Sequence, residues 1–333
     1  MAVFFITVIH AVIFLNSHSM TTHFLKISDL DKHQLQEVLT LSKVIDQQPQ
    51  LYKDSLKNKI ALFCFEKPSF RTLVGSEAAL IQCGGSAIHT SPDAFLGGNI
   101  VHAGQDLGQR EPIKDTIRIA SDYCDLLFLR VFSHQTLVDV QKYSTIPVVN
   151  ALCDLDHPCQ ALADLYTIQD HFGENKKLTI LFAGDATNVA YSLAEISIIF
   201  GHHFIWSGPS SFGFTSEQIE TLKNLSKKYG GSLLFDPDIN NAIKLADVVV
   251  ADSFVSMGCE DEYDVRIKEL MPYQINESLW EKANPEAIFL HCLPAHRGYE
   301  VTESIIDGPQ SKILSEAHNR MKTARGLFNF LIN

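Results

Sequence analysis

A chain of 333 residues with 46% hydrophobic content is long enough to bury the cores of two domains. Its 39 acidic residues outnumber the 27 Lys and Arg, and the resulting net charge of -12 argues against a general nucleic-acid or anionic-membrane surface. Any anion site must therefore be local, built from a few Arg, His and backbone N–H groups. Seven cysteines, Cys64, Cys83, Cys124, Cys153, Cys159, Cys259 and Cys292, form no CxxC pair and no zinc-like spacing, which points to a reduced, cytoplasmic chain.

Residues 2–15 are apolar, but no Lys or Arg precedes them and the run is too short to span a bilayer. Residues 1–19 read as an N-terminal extension or an upstream start in preference to a signal peptide. From Ser28-Asp29-Leu30-Asp31 a helical pattern runs to about Asp46, with Leu35, Val38, Leu39 and Leu41 on its apolar face. Apolar runs near 60–65, 86–89, 126–131 and 145–149 then alternate with helical stretches near 71–83, 113–122 and 135–142. A long helix begins at Asp156-His157-Pro158 and reaches Phe172, and 173–177 looks like a linker. A second cycle has strands near 178–183, 203–206, 232–235, 247–251 and 287–291. The pattern predicts an α/β protein of two αβ domains, each with a mostly parallel central sheet flanked by helices, joined by linking helices.

Ligands of open parallel sheets sit beyond the carboxyl ends of the strands, and the polar motifs of this chain fall there. Glu66-Lys67-Pro68-Ser69-Phe70-Arg71-Thr72 leads from a strand into a helix N-terminus, where unpaired N–H groups meet two hydroxyls and a guanidinium. Taken alone, it fits either an oxyanion site or a plain N-cap by Ser69. Arg130 ends another strand, and His157-Pro158-Cys159-Gln160 opens the long helix. Gly184-Asp185-Ala186-Thr187-Asn188 lacks the glycines of a dinucleotide fingerprint. Asp252-Ser253-Phe254-Val255-Ser256-Met257-Gly258 supplies an anion suited to an ammonium group. His291-Cys292-Leu293-Pro294 and Glu316-Ala317-His318-Asn319-Arg320 follow.

In this order and combination, over roughly residues 21–332, these segments resemble the aspartate and ornithine carbamoyltransferases, and the 252–258 loop resembles the ornithine-specific form. The resemblance implies domains at 20–155 for carbamoyl phosphate and 156–315 for ornithine, with 316–333 a C-terminal helix packing back on the first. It implies that Ser69, Phe70, Arg71, Thr72, Arg130, His157, Gln160, Cys292, Leu293 and Arg320 hold carbamoyl phosphate. Arg130, His157 and Cys292 stand nearest the chemistry, and Asn188, Asp252, Ser256 and Met257 bind L-ornithine. Carbamoyl transfer to the δ-amine would give L-citrulline and phosphate in arginine metabolism, with no metal or cofactor, in a homotrimer without nucleic-acid or membrane partners. Cys292 is not read as a covalent nucleophile, because the acceptor amine itself attacks.

Two departures stand out. The family loop Ser-Thr-Arg-Thr-Arg is here Ser69-Phe70-Arg71-Thr72-Leu73, which removes one hydroxyl and one cation. In the family, the loop after Ser91-Pro92 lends a Gln to the neighbouring subunit's phosphate site. In this chain Asp106 stands there without a shift, Gln105 with a shift of one, and Arg110 is close enough in sequence to offset Asp106. These departures leave a non-catalytic or weakly active paralogue, used for ligand sensing or assembly, as the rival reading, beside a transferase for a related amine.

Overall fold

The computed structural model describes residues 21–102, 105–109, 111–255 and 260–333. Residues 1–20, Arg110, Ser256 and Met257, on which several of the expectations above fall, lie outside it. The first sheet has four parallel strands in the order β2-β1-β5-β6: β1 (Ile60–Phe65), β2 (Ser86–Thr90), β5 (Leu126–Arg130) and β6 (Val148–Leu152). The second has five parallel strands in the order β11-β10-β7-β8-β9: β7 (Thr179–Ala183), β8 (His203–Ser207), β9 (Ser232–Phe235), β10 (Val248–Ala251) and β11 (Ile288–His291). The two-domain α/β fold expected from the alternating pattern is present.

Each sheet is covered by helices whose apolar residues fill the layers. In the first domain these are α1 (Lys32–Gln47), α2 (Phe70–Gln82), α3 (Ile113–Tyr123) and α4 (His134–Tyr143). The second carries α6 (Asn188–Ile199), α7 (Ser216–Tyr229), α8 (Ile239–Leu245) and α9 (Tyr263–Leu270). Two long helices link the halves. Helix α5 (Pro158–Phe172) packs on β6 and α6, and α10 (Ile313–Ile332) packs on α1, α2 and α5. The close seat of α10 requires Gly326, where a Cβ would come within 2.1 Å of Ser42 Oγ and 2.5 Å of the Val38 carbonyl oxygen. Arg325 and Lys322 fasten the same face to Asp46 at 2.7 and 2.9 Å.

Two local expectations shift. The strand expected at 145–149 begins at Val148, because Pro147 has no N–H to give the ladder, and Ser144 Oγ accepts the Ile146 N–H in the preceding turn. The stretch after Ser91-Pro92 contains an antiparallel hairpin, β3 (Asn99–His102) and β4 (Gln105–Gln109), with a register irregularity between Asn99 and Val101. Gln105 and Asp106 both belong to β4. Among the described residues no helix is long and apolar enough to cross a membrane.

Candidate active site

A cleft of about 640 Å³ opens beyond the carboxyl ends of both sheets. It is lined by Ser69, Phe70, Arg71 and Thr72 from the β1–α2 turn, Arg130 from the end of β5, and His157 from the start of α5. The opposite wall brings Asn188, Asp252, Cys292 and Leu293 from the ends of β7, β10 and β11, and Arg320 enters from α10. Residues as far apart in sequence as Ser69 and Arg320 thus meet because parallel strands end on one side of each sheet.

At the N-terminus of α2 the choice between helix cap and anion site becomes physical. Ser69 occupies the N-cap position, yet its hydroxyl makes no capping bond and instead donates to Thr72 Oγ1 at 3.0 Å. The helix's N-terminal dipole therefore faces the cleft without a side-chain cap. Arg320 donates to Thr72 Oγ1 at 3.4 Å and also to Gln160 Oε1, and Arg71 donates to the Leu293 carbonyl. Leu293 holds a left-handed backbone, φ 59°, with its N–H donating to His291 Nδ1 at 2.9 Å. Such a conformation costs roughly 1–2 kcal/mol in a residue with a Cβ and turns the main chain of 293 toward the cleft.

Three guanidiniums, those of Arg71, Arg130 and Arg320, act on one another and on His157. Burial first, then Arg320 and Arg71, push Arg130 down to about 10. His157 is held well below its ordinary value by burial and by the charges of Arg320, Arg130 and Arg71, so its ring is neutral at physiological pH. Its backbone N–H donates to Ser192 Oγ at 2.9 Å. Arg130 Nε and His157 Nδ1 are both buried without a protein partner among the described residues. An unpaired buried polar group costs about 1–3 kcal/mol, a cost that a polar ligand in the cleft offsets.

Across the cleft the charge reverses. The thiol of Cys292 donates to Asp252 Oδ1 at 3.2 Å, and Thr187 Oγ1 donates to Asp252 Oδ2 at 3.1 Å. Burial, then Asp252 and Glu316, raise Cys292 well above its ordinary value, so it is a thiol and not a thiolate nucleophile. Asn188 donates to the Cys153 carbonyl at 2.6 Å, which fixes its amide at the start of α6.

Gln160 stands apart from its expected neighbours. It does not line the cleft. Its amide donates to Asp164 Oδ1 and Glu316 Oε1, each at 2.8 Å, while its oxygen accepts from Arg320. Glu316 also accepts the His291 N–H at 2.8 Å, and burial beside Asp164 raises it well above the ordinary carboxylate range. Gln160 thus forms a buried layer behind Arg320. Lys67, for which the loop motif implies no role, lines the cleft with its ammonium 4.7 Å from the Phe132 ring centroid. Its only sequence signal is its place between Glu66 and Pro68.

Comparison with known proteins agrees with this geometry. Residues 22–170 match the carbamoyl-P binding domain, and residues 176–331 the Asp/Orn binding domain, of aspartate/ornithine carbamoyltransferase. The chain belongs to the aspartate/ornithine carbamoyltransferase family. Among curated relatives, the ornithine carbamoyltransferase of Pyrobaculum calidifontis is 38% identical over 315 residues, covering 93% of this chain and 98% of that one. The Archaeoglobus fulgidus protein of the same name is 35% identical over 309 residues, covering 92% and 95%. The solved ornithine carbamoyltransferase of Pyrococcus furiosus superposes with a TM-score of 0.85 at 33% identity, covering 95% of this chain and 99% of that one. Family membership makes this chain a carbamoyltransferase by descent, and its cleft lies between the two matched domains.

Proposed function

We propose that this chain transfers the carbamoyl group of carbamoyl phosphate to the δ-amine of L-ornithine, giving L-citrulline and phosphate. One observation carries the reading: a single cleft sets three guanidiniums and an uncapped helix N-terminus against the Asp252–Cys292 pair. The cationic side suits a dianionic phosphate, and the anionic side suits an amino acid's ammonium group. Among the described lining residues beside Asp252, 253–255 and 292–294, none is a Lys or Arg that would receive the extra carboxylate of aspartate, which favours ornithine within the family.

In the mechanism, carbamoyl phosphate binds first. Ser69, Arg71, Thr72 and Arg320 hold its phosphate, with backbone N–H groups at Phe70 to Thr72 completing the cradle. Arg130 and neutral His157 donate to the carbonyl oxygen, where negative charge develops as the tetrahedral centre forms. Ornithine is oriented by Asn188 and Asp252 together with Ser256 and Met257. Its neutral δ-amine attacks the carbonyl carbon, the carbon–oxygen bond to phosphate breaks, and the departing phosphate accepts the amine proton. Cys292 lies beside the amine as a neutral thiol, and the Leu293 carbonyl accepts from the carbamoyl NH2. Gln160 acts through Arg320 by holding its guanidinium. Proximity and preorganised charge supply the rate.

The chain works as a cytoplasmic homo-oligomer in arginine metabolism, a trimer by the family resemblance. The assembly is supported by an apolar stripe on the outer face of α2, where Phe70, Val74 and Ile81 are exposed next to Ile88 on edge strand β2. A second reading, a ligand-binding paralogue with little turnover, is favoured by Phe70, which is 79% exposed in the phosphate loop where the family has a Thr. Colorimetric citrulline formation, run beside calorimetry with a bisubstrate phosphonate analogue, separates the two. Turnover supports the transferase, and tight binding without turnover supports the paralogue.

A further inference from the structure

Outside the cleft, the loop from β6 to α5 meets the start of α4, and three unlike donor side chains converge there. Cys153 Sγ lies 3.4 Å from His134 Nδ1, and His134 Nδ1 lies 3.8 Å from Asp156 Oδ2. All three donor atoms fall within 4.8 Å of one another. We propose that His134, Cys153 and Asp156 form a binding site for a zinc-class transition-metal ion, which braces the hinge loop between the two domains.

The spacing fits that ion. Zinc bonds of about 2.3 Å to sulfur and 2.0–2.2 Å to nitrogen and oxygen put neighbouring ligands of a tetrahedron roughly 3.3–3.7 Å apart. The His134 distances are already close to these values, and seating the metal asks the remaining pair, Cys153 and Asp156, to close by up to about 1 Å. Thiolate, imidazole and carboxylate together select zinc, cobalt or a similar borderline ion over magnesium or calcium, and one thiolate plus one carboxylate balance its two positive charges.

The surrounding groups orient the donors as outer-shell partners do at metal sites. Ser192 Oγ donates to Asp156 Oδ1 at 3.2 Å, leaving Oδ2 turned to His134. Asn150 Nδ2 donates to Cys153 Sγ at 3.2 Å, and the His134 backbone N–H donates to Asp154 Oδ1 at 2.7 Å, fixing the start of α4. Cys153 is fully buried and Asp156 nearly so, while the His134 side chain is 21% exposed. The imidazole side is thus the entry path and the place for a water as fourth ligand.

The site is distinct from the cleft, whose lining includes none of the three residues. It is nevertheless coupled to it: the Cys153 carbonyl accepts from Asn188, and Asp156 immediately precedes His157. A bound ion fixes the loop on which both rest.

Cobalt titration of the full-length protein tests this, with absorbance as the readout. We expect one equivalent of Co2+ to give a thiolate-to-cobalt charge-transfer band that Zn2+ abolishes. Cys153→Ser removes the band, and His134→Asn weakens cobalt binding at least tenfold. Cys292→Ser leaves both intact, separating this site from the thiol and carboxylate of the cleft. Should Cys153→Ser fail to fold by circular dichroism, His134→Asn, altered at a part-exposed position, decides alone. Absence of the band in the wild type, its persistence at full affinity in His134→Asn, or its loss in Cys292→Ser overturns the proposal.

Discussion

The Cys292 thiol and the Asp252 carboxylate, 40 positions apart in sequence, meet at 3.2 Å where β10 and β11 end side by side. Burial keeps the sulfur protonated, so the pair presents one negative charge with a soft, neutral neighbour. Under the proposed function, that is a place for an alkyl ammonium that must give up its proton to react. Asp252→Asn keeps the shape and removes the charge. Its kcat/KM for ornithine should fall by one to two decades, the equivalent of about 1.5–3 kcal/mol for a charge-assisted hydrogen bond, while carbamoyl phosphate affinity stays within a factor of about two. Steady-state kinetics with each substrate varied in turn make the check. Equal losses for both substrates would show that Asp252 shapes the whole cleft.

Under the proposed mechanism Arg130 gives the cleft an alkaline limit. Its guanidinium, pushed down to about 10, is charged below that pH and neutral above it. The ornithine amine works in the other direction, since it reacts only when deprotonated and an alkyl ammonium has a pKa near 10.4. Turnover at saturating substrate should therefore climb from pH 6 to 9. By contrast, kcat/KM for carbamoyl phosphate, which reports the free enzyme, should decline as pH rises through about 10. A turnover profile flat from pH 6 to 9 with chemistry rate-limiting contradicts attack by the neutral amine.

Phe70 sits in the β1–α2 turn proposed to hold phosphate, with its ring in solvent and its backbone already helical. Phe70→Thr restores a hydroxyl without altering the helix start, and one added hydrogen bond to an anion is worth about 1.5–3 kcal/mol when well placed. The expected outcome is a tenfold or greater drop in KM for carbamoyl phosphate with kcat little changed. An unchanged KM would mean that the site gains nothing from a hydroxyl at position 70.

On α2, Val74 and Ile81 are about half exposed and lie two turns apart on one face. If they pack against a second subunit, Val74→Asp with Ile81→Asp buries two unpaired charges in the interface and should shift the protein to monomer in sedimentation velocity. The intramolecular fold should survive, because neither side chain is in the core. A wild type that already sediments as an active monomer contradicts the assembly.

Much of this was legible in the sequence because strand runs such as 60–65 and 248–251 are fully apolar, as buried parallel strands must be, and each ends in a polar motif. Other features depend on partners far away in the chain. The inward turn of Gln160 is decided by Glu316 and Asp164, whose carboxylates no local pattern ties to it. The hairpin at 99–109 was hidden by Gly97, Gly98, Gly104 and Gly108, which interrupt its alternation. The His134, Cys153 and Asp156 cluster has no local sequence signature, because its members are 19 and 3 residues apart and meet only when α4 folds against the end of β6.

The proposed reaction in this cleft is carbamoylation of ornithine. Its most direct measurement is kcat/KM for purified full-length protein with carbamoyl phosphate and each of L-ornithine, N-acetyl-L-ornithine, putrescine and L-aspartate, with products identified by mass. We expect citrulline from ornithine, with at least a hundredfold preference over each alternative. Preference for any other amine, or no carbamoylated product under conditions where the bisubstrate analogue binds, would contradict it.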